Sequence, residues 1–348
     1  MERPKTLSPF VTRRDFVRQS GLLAAGAAIG IGTTAGGRQP LAAGGEEKPA
    51  KVETPPIPRS VLGRTGVEVS ILGFGTALLG HQNSNQPEVP KLINVFSEAL
   101  DRGINYLDTA RIYGRAEEAL KEVLRTRREK TFLVTKVWAN TSEEAEKSFH
   151  ESLERLGVSS VDVLHLHSAG DKEIDKVLGP GGSWEFLAKA KKDGKTRFVG
   201  ITGHSRPANF VRLLETDQVD VMMVAMNFVD RFIYGFEEKV LPVARKHKTG
   251  VMAMKVYGGV QGGFPNYGSK TPHPSQMKGE HHVRSIAYVK ALEGVTGMVI
   301  GAHTLEQLHE NIRRVVETKP LGKEDFEKLC EEGKAVAAGW TPRFGPAV

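Results

Sequence analysis

Short apolar runs alternate with longer amphipathic segments along the chain after residue 58. The short runs, rich in β-branched and other apolar residues, predict strands, and the amphipathic segments between them predict helices. Regular alternation of this kind is typical of a parallel sheet with helical connections. The eight predicted strands are residues 69–76, 104–110, 131–138, 161–168, 197–204, 220–227, 250–257 and 297–303.

Eight strand–helix units in about 250 residues predict an α/β fold of the (β/α)8 TIM barrel type. A doubly wound open sheet is the main alternative, but no predicted strand leads into a G-x-G-x-x-G turn that opens a helix. The glycine-rich residues 258–263 are followed by a long Pro/Gly segment and predict a loop. Residues 59–70 predict a β-hairpin ahead of the barrel, which spans residues 59–318 and is followed by a C-terminal tail, residues 319–348.

The first 43 residues have the composition of an export signal. Residues 12–20 are basic, and the uncharged residues 21–37 are rich in glycine and alanine, with small residues after them. The many glycines make this stretch too weakly apolar for a membrane anchor. Residues 12–18, TRRDFVR, resemble a twin-arginine signal. We therefore expect a signal peptide over 1–43, twin-arginine export to a bacterial periplasm, no membrane span in the mature form, and a flexible linker over 44–58.

Charge and cysteine content exclude several classes of function. Residues 1–43 carry six basic and two acidic side chains, so only three of the seven net positive charges belong to the rest of the 348-residue chain. Such a mild excess does not indicate a nucleic-acid partner. Cys330 is the single cysteine, which excludes an internal disulfide and a cysteine-ligated cluster. The histidines within 273–282 lack a helical metal spacing, and no metal site is predicted.

Four polar residues fall at the carboxyl ends of three successive predicted strands, where a barrel of this type places its chemistry. Asp108 ends the second strand and Tyr113 follows it, Lys136 ends the third strand, and His167 ends the fourth. Each alone could be a turn residue, a core ring, a strand-end charge or a buried histidine with partners. Their convergence indicates a catalytic group. His165 shares a face with His167 but lies one layer deeper, which suggests a structural role.

These residue types suit the delivery of a proton to a carbonyl oxygen. The phenol of a tyrosine has a pKa near ~10, and a nearby ammonium such as that of Lys136 lowers it. Asp108 would hold and neutralise the lysine, and His167 would donate or orient a hydrogen bond at the substrate oxygen. The group contains no source of electrons, so a hydride-carrying cofactor is required.

Several stretches between residues 60 and 318 resemble the aldo-keto reductase family. They are LGRTGVEVSILGFGT (62–76), GINYLDTARIYGRAEEALKEVL (103–124), TKVW (135–138), VDVLHLHS (161–168) and GVTGMVIGAHTLEQLHENI (294–312). The resemblance implies a (β/α)8 barrel that binds a nicotinamide dinucleotide in an extended form, with Tyr113 as the general acid.

The resemblance also implies a set of cofactor contacts. They are Gly75, Thr76, Thr202, Gly203, Asn227, Met254, Lys255, Gly301, Ala302, His303, Gln307 and Asn311.

This sequence departs from the family pattern at several of these positions. Thr202-Gly203 replaces the usual Ser-Asn, Met223 a glutamine, and Met254 the aromatic residue that stacks on the nicotinamide. Gly301 and Gln307 lack the basic side chains that often hold the extra phosphate of NADP, for which His303 could partly substitute. NADP is the family's usual cofactor, and NAD is the alternative.

The leading prediction is an NAD(P)-dependent oxidoreductase that transfers hydride between the nicotinamide and an aldehyde, ketone or sugar carbonyl. One alternative is a non-catalytic barrel that holds a dinucleotide or binds a partner, because the nicotinamide pocket is altered. Another is an aldolase that uses Lys136 or Lys255 as a Schiff-base nucleophile. Export would favour a retained cofactor that two substrates recycle in turn. The tail could cover the mouth of the barrel or be disordered.

Overall fold

A computed structural model of the chain describes residues 55–77, 88–258, 277, 279–340 and 342–348. The predicted signal peptide, most of the predicted linker and most of the glycine-rich loop lie outside these residues. Within them, no helix is long and apolar enough to cross a membrane.

Eight parallel strands close into a barrel, which confirms the predicted (β/α)8 fold and excludes the open sheet. The strands follow one another around the barrel in chain order, and β10 closes the circle by pairing with β3. Ahead of them, β1 (Arg59–Val61) and β2 (Glu68–Ser70) form the predicted antiparallel hairpin. The barrel strands are β3 (Leu72–Gly75), β4 (Tyr106–Asp108), β5 (Phe132–Val137), β6 (Val161–Leu166), β7 (Thr196–Gly203), β8 (Val221–Ala225), β9 (Gly250–Met254) and β10 (Val295–Ile300).

Helices surround the barrel and cover the outer faces of its strands. One helix begins at Ser142 because Thr141 caps it: the Thr141 side chain accepts from the Glu144 amide, and the Glu144 side chain accepts from the Thr141 amide. The helices are α1 (Val89–Asp101), α2 (Ala116–Arg127), α3 (Ser142–Leu156), α4 (Ile174–Leu178), α5 (Ser183–Lys192), α6 (Pro207–Leu214), α7 (Phe236–Lys239), α8 (Leu241–Lys246), α9 (Glu280–Ala291), α10 (Leu305–Glu317) and α11 (Lys323–Ala337).

Strand alternation divides the core into two layers. Leu133 and Leu164 point outward into the large cluster between sheet and helices, whereas Val134 and Val163 point into the barrel. Successive side chains of a strand point to opposite faces, so Lys136 shares the inward face with Val134. The lysine therefore lies one layer above the apolar filling of the barrel, towards its carboxyl end.

Several strands end earlier than the apolar pattern predicts, because the backbone leaves the extended conformation. Ser168 has φ 53° and Lys255 has φ 56°, both in the left-handed region that residues other than glycine rarely adopt. The strand predicted over 161–168 consequently ends at Leu166, and the one predicted over 250–257 ends at Met254. The residues that follow each strand turn into the loops at the barrel mouth.

Candidate active site

Three neighbouring strands bring the predicted catalytic residues to the barrel mouth. Asp108 is the last residue of β4, Lys136 the penultimate residue of β5, and His167 follows β6. The Lys136 ammonium lies 2.7 Å from an oxygen of Asp108 and donates to the Thr109 carbonyl, also at 2.7 Å. We refer to the carboxyl ends of β4, β5 and β6 as the catalytic side of the mouth.

The pair formed by Lys136 and Asp108 is almost completely shielded from water. Burial lowers the pKa of the Lys136 ammonium and raises the pKa of the Asp108 carboxyl, while the attraction between the two groups opposes both shifts. A buried charge is costly unless it is paired, so each residue of this pair depends on the other. The pair holds a positive charge at a fixed point beneath the mouth.

Tyr113 lies directly over this charge. A turn of the chain after β4 brings it there, with the Tyr113 amide donating to the Ala110 carbonyl at 3.0 Å. Its ring centroid is 4.8 Å from the Lys136 ammonium, and its ring meets the His167 ring edge to face at 5.7 Å. An ammonium at this distance favours the phenolate form of the tyrosine. The structure thus brings Asp108, Tyr113, Lys136 and His167 together as the sequence predicts.

His167 is held as a neutral imidazole. Burial, and then the positive charge of Lys136, keep the pKa of His167 well below its usual value. A neutral imidazole has one N–H donor, which suits a hydrogen bond to a carbonyl oxygen. His165 lies deeper, and burial likewise keeps its pKa far below the usual value.

Two groups of predicted cofactor contacts lie at the ends of β3 and β10, and the group at β10 is the one predicted to surround the adenosine phosphate. Thr76 follows β3, and its amide donates to the Asp108 carbonyl at 2.9 Å. Gly75 lies beside Gly301, close enough that a β-carbon on it would lie 3.8 Å from the Gly301 nitrogen. Ala302 is buried next to Gly301.

At the start of α10, the predicted contacts are linked to one another. The His303 amide donates to the Gln307 side chain at 2.8 Å, and Thr304 caps the helix by accepting from the Gln307 amide. Asn311 is buried, accepts from the Tyr257 hydroxyl at 3.1 Å and donates to the Gly301 carbonyl at 3.3 Å. His303 and Gln307 are exposed, so a phosphate could reach them from solvent.

The remaining predicted contacts lie at the ends of β7, β8 and β9. Thr202 and Gly203 are buried, and a β-carbon on Gly203 would lie 2.9 Å from the Phe210 ring. Met254 is half-buried. The Asn227 amide is occupied within the protein, because it donates to Asp230 at 2.5 Å and to the Lys255 carbonyl at 3.0 Å. Its role as a cofactor contact stays a prediction.

The C-terminal tail packs on these same three strand ends, which we call the tail side of the mouth. Both terminal nitrogens of Arg343 bind the Asp230 carboxylate, at 2.6 and 2.7 Å, and its third guanidinium nitrogen donates to the Gly258 carbonyl at 3.1 Å. The Phe344 amide donates to the Tyr234 hydroxyl at 2.8 Å. The tail is therefore ordered and covers part of the mouth.

Phe344 contacts two side chains that lie beneath the tail, His204 and Lys255. Its ring is 4.9 Å from the His204 ring, and the Lys255 ammonium lies 5.8 Å from its centroid. Sequence reasoning did not assign Arg343 or Phe344 to the mouth. Asp230 and Tyr234, which bind them, are more than 100 residues away along the chain, so no local pattern could have identified these contacts.

The mouth fits a polar ligand. Four buried polar atoms there have no hydrogen-bond partner among the described residues: Thr76 Oγ1, Thr109 Oγ1, Ser168 Oγ and His167 Nδ1. Buried polar groups in native proteins are nearly always satisfied, so orphaned ones mark places where a ligand or water binds. The ends of β3 and β10 suit an extended dinucleotide better than the tail side, where the tail already occupies space. The same described residues contain no cluster of histidine, cysteine or carboxylate side chains that could hold a metal.

Comparison with known proteins agrees with this arrangement. A model of the Aldo/keto reductase family matches residues 71–285. The chain is 28% identical over 301 residues to an L-galactose dehydrogenase of Arabidopsis thaliana, covering 78% of this chain and 91% of that one. It is 24% identical over 320 residues to a pyridoxal 4-dehydrogenase of Microbacterium luteolum, covering 73% and 92%.

The fold has a close counterpart among solved structures. The aldo-keto reductase AKR11C1 from Bacillus halodurans, in its holo form, superposes with a TM-score of 0.62 at 23% identity, covering 79% of this chain and 96% of that one. Family model, relatives and barrel geometry agree, and the chain belongs to the aldo/keto reductase family of NAD(P)-dependent oxidoreductases.

Proposed function

We propose that Tyr113 is the general acid of this oxidoreductase, whose substrate is an aldehyde, a ketone or the carbonyl of a sugar. One observation carries the proposal: the Tyr113 ring contacts both the Lys136 ammonium and the His167 ring. The dinucleotide supplies the hydride when bound. The protein supplies the proton and the positive field that stabilises the oxygen as it gains negative charge.

Each residue of the catalytic side has a separate task in this scheme. The neutral His167 donates a hydrogen bond that orients the carbonyl oxygen. Tyr113 transfers its proton to that oxygen, and the adjacent Lys136 charge stabilises the phenolate that remains. Asp108 does not touch the substrate; it keeps Lys136 in place and compensates its charge. In the reverse direction, the phenolate accepts the proton of an alcohol.

The residues at the ends of β3 and β10 would hold the dinucleotide, with Gly75 and Thr76 on one side and Gly301, Ala302 and His303 on the other. We assign NADP as the main cofactor, because the exposed His303 next to a helix start suits an additional phosphate. NAD is the alternative. Comparing kcat/KM for the two cofactors in wild type and in His303→Ala tests the assignment, since loss of the histidine should weaken NADP selectively.

The names of the two relatives, an L-galactose dehydrogenase and a pyridoxal 4-dehydrogenase, support a reducing sugar or another aldehyde as the substrate in the oxidative direction. A panel that pairs aldoses with simple aldehydes would rank these classes by kcat/KM.

The sharpest test of the general acid is Tyr113→Phe, which removes the proton and leaves the ring. We expect kcat to fall about 10²- to 10⁴-fold, the usual contribution of general acid catalysis. Tyr106→Phe is the matched control: its hydroxyl is buried inside the barrel without a partner among the described residues, so its removal should be nearly neutral. If Tyr113→Phe retained kcat within about threefold of wild type, the assignment would be wrong.

We further propose twin-arginine export and a periplasmic location for the mature enzyme. Residues 12–18 support this, because two adjacent arginines precede an uncharged glycine- and alanine-rich stretch. Conservative replacement of both Arg13 and Arg14 by lysine should leave the protein in the cytoplasmic fraction of the producing cell. Unchanged export of that double variant would contradict the proposal.

Export would separate the enzyme from fresh reduced dinucleotide, so we propose that the cofactor is retained and recycled by two substrates in turn. The twin-arginine route is suited to proteins that leave the cell already folded and loaded. After extensive dialysis, nicotinamide absorbance should persist and should be bleached by an aldehyde. Recovery of cofactor-free protein would refute retention while leaving the general acid untouched.

A further inference from the structure

A buried lysine lies beside the catalytic side without a role in the proton transfer. Lys172 is only 6% exposed, and its ammonium lies 4.3 Å from the centroid of the Trp138 ring. That ring meets the His167 ring at 5.5 Å, so a single aromatic ring separates the Lys172 charge from the catalytic imidazole. The sequence alone does not identify Lys172.

The local backbone explains how the lysine reaches this place. The left-handed Ser168 turns the chain sharply after β6, and a single helical turn over Ala169–Asp171 follows. The Lys172 amide donates to the Ala169 carbonyl at 3.3 Å, and Asn209 donates to the Lys172 carbonyl, also at 3.3 Å. The turn therefore fixes the backbone of Lys172 towards the mouth rather than towards open solvent.

The charge of this lysine has no ion-pair partner among the residues that the structure describes. No described carboxylate lies within ion-pair distance of its ammonium; Asp171 and Glu144 act on it only from further away. Asp171 instead accepts from the Ser205 hydroxyl at 2.9 Å, and Glu144 caps α3. Burial lowers the pKa of Lys172 to about 8, which leaves it mostly charged at neutral pH. A charge largely removed from water is costly unless it is paired, so an anion bound at the mouth would compensate the Lys172 ammonium.

We propose that Lys172 binds a carboxylate of the substrate. The enzyme would then act on carbonyl compounds whose acid group is separated from the reacting carbonyl by about the width of one aromatic ring. The inference rests on the proposed function, because it assumes that the reacting carbonyl lies at Tyr113 and His167. Trp138 is 45% exposed and offers an apolar platform between the two ends of such a molecule. A single ammonium suits a monoanionic carboxylate, whereas phosphate groups are usually held by several cations.

Two substrates that differ only in charge test the proposal. 4-Carboxybenzaldehyde and its methyl ester share the reacting aldehyde and the ring, but only the acid can pair with Lys172. We expect wild type to prefer the acid in kcat/KM by about tenfold or more, mainly through KM, as one charge-assisted hydrogen bond would give. In Lys172→Met this ratio should fall by about the same factor.

Two further variants control for general effects. Lys176→Met removes the same charge from an exposed position four residues away, on α4, and should keep the acid-to-ester ratio of wild type. Lys172→Arg keeps the positive charge and should retain most of the preference. Because the readout is a ratio, partial misfolding of Lys172→Met lowers both rates and leaves the test valid. An unchanged ratio in Lys172→Met would overturn the inference while the proposed function stands.

Equilibrium binding separates the two proposals. Calorimetry compares 4-carboxybenzyl alcohol with its methyl ester on the dinucleotide-loaded protein. If neither aldehyde is turned over but the acid binds more tightly than the ester in a Lys172-dependent way, the proposed function fails and the carboxylate site stands. Equal binding of acid and ester would overturn the site whatever the activity.

Discussion

The two sides of the barrel mouth are built in different ways. On the catalytic side, Lys136 and Asp108 come from adjacent strands, and Tyr113 follows within five residues of β4. On the tail side, Arg343 reaches Asp230 from 113 positions away along the chain. Both sides contain one buried ion pair, 2.7 Å apart in the first and 2.6 Å in the second. The same interaction thus lies beneath the proposed general acid on one side and attaches a cover on the other.

Lys136→Met should have the largest effect, because it removes a charge that the proposed reaction uses and that compensates the buried Asp108. We expect kcat to fall by about 10³-fold, comparable to the loss of the general acid itself. Unfolding free energy should fall by about 3–5 kcal/mol, since Asp108 is left buried and unpaired. Steady-state kinetics and urea unfolding measure the two effects.

The double variant Lys136→Met/Asp108→Leu separates the effect on activity from the effect on stability. Apolar replacement of both members of a buried ion pair is often neutral for stability, so the double variant should regain most of the lost free energy and none of the activity. If it proved as unstable as the single variant, the pair would not be the main source of the loss. If it regained activity, the charge of Lys136 would have no part in the chemistry.

Strand alternation and barrel closure made the catalytic side predictable from sequence. A polar residue on the inward face near a strand end must come close to its counterparts on neighbouring strands, as Asp108 and Lys136 do. The tail side was not predictable in this way. The attachment of Arg343 depends on which surface the C-terminal segment meets after the barrel has formed. The local periodicity of apolar residues carries no information about such a long-range contact.

Lys172 illustrates a second limit of sequence reasoning. A lysine in a loop after a strand is usually solvated, and only the left-handed conformation of Ser168 returns this one to the mouth. Serine carries no strong signal for that conformation. The sequence likewise left open whether the tail covers the mouth of the barrel or is disordered. Only the contacts of Arg343 and Phe344 decide between these alternatives.

Arg343→Met should have the next largest effect, and it should change only the free energy of unfolding and the attachment of the tail. It leaves Asp230 buried without its cation, which costs about 3 kcal/mol at the lower end of the range for broken buried pairs. Limited proteolysis should then cleave the chain after α11 faster than in wild type. Arg313→Met is the matched control, because Arg313 pairs with Glu310 and Glu317 on the exposed face of α10, where ion pairs contribute about 1 kcal/mol or less. Equal losses in the two variants would mean that the tail is not held by its buried pair.

The smallest expected effect concerns Lys255, which follows β9 on the tail side and interacts with charged groups on both sides of the mouth. Burial, and then the neighbouring Arg343, lower the pKa of Lys255 to about 8 from an ordinary value of 10.5, while Asp108 and Asp230 favour its charged form and Lys136 opposes it. Between these two pH values the unfolded chain binds a proton that the folded protein has released. Stability should therefore rise as pH increases from about 8 to about 10.5, and the cost of the charge is fully present below pH 8.

Lys255→Met removes the cost of this buried charge. The unfolding free energy of the variant should therefore exceed that of wild type most near neutral pH and least at high pH. Lys255 is only half-buried, so screening by water should reduce the difference to about 1–2 kcal/mol. Urea unfolding of both proteins at a series of pH values between 7 and 10.5 measures it. In the Arg343→Met background the difference should shrink further, because the neighbouring cation has gone and water reaches Lys255 once the tail is released. A difference that stays constant across the pH series would contradict the lowered pKa of Lys255, and an unchanged difference in the Arg343→Met background would show that the lysine does not respond to the tail.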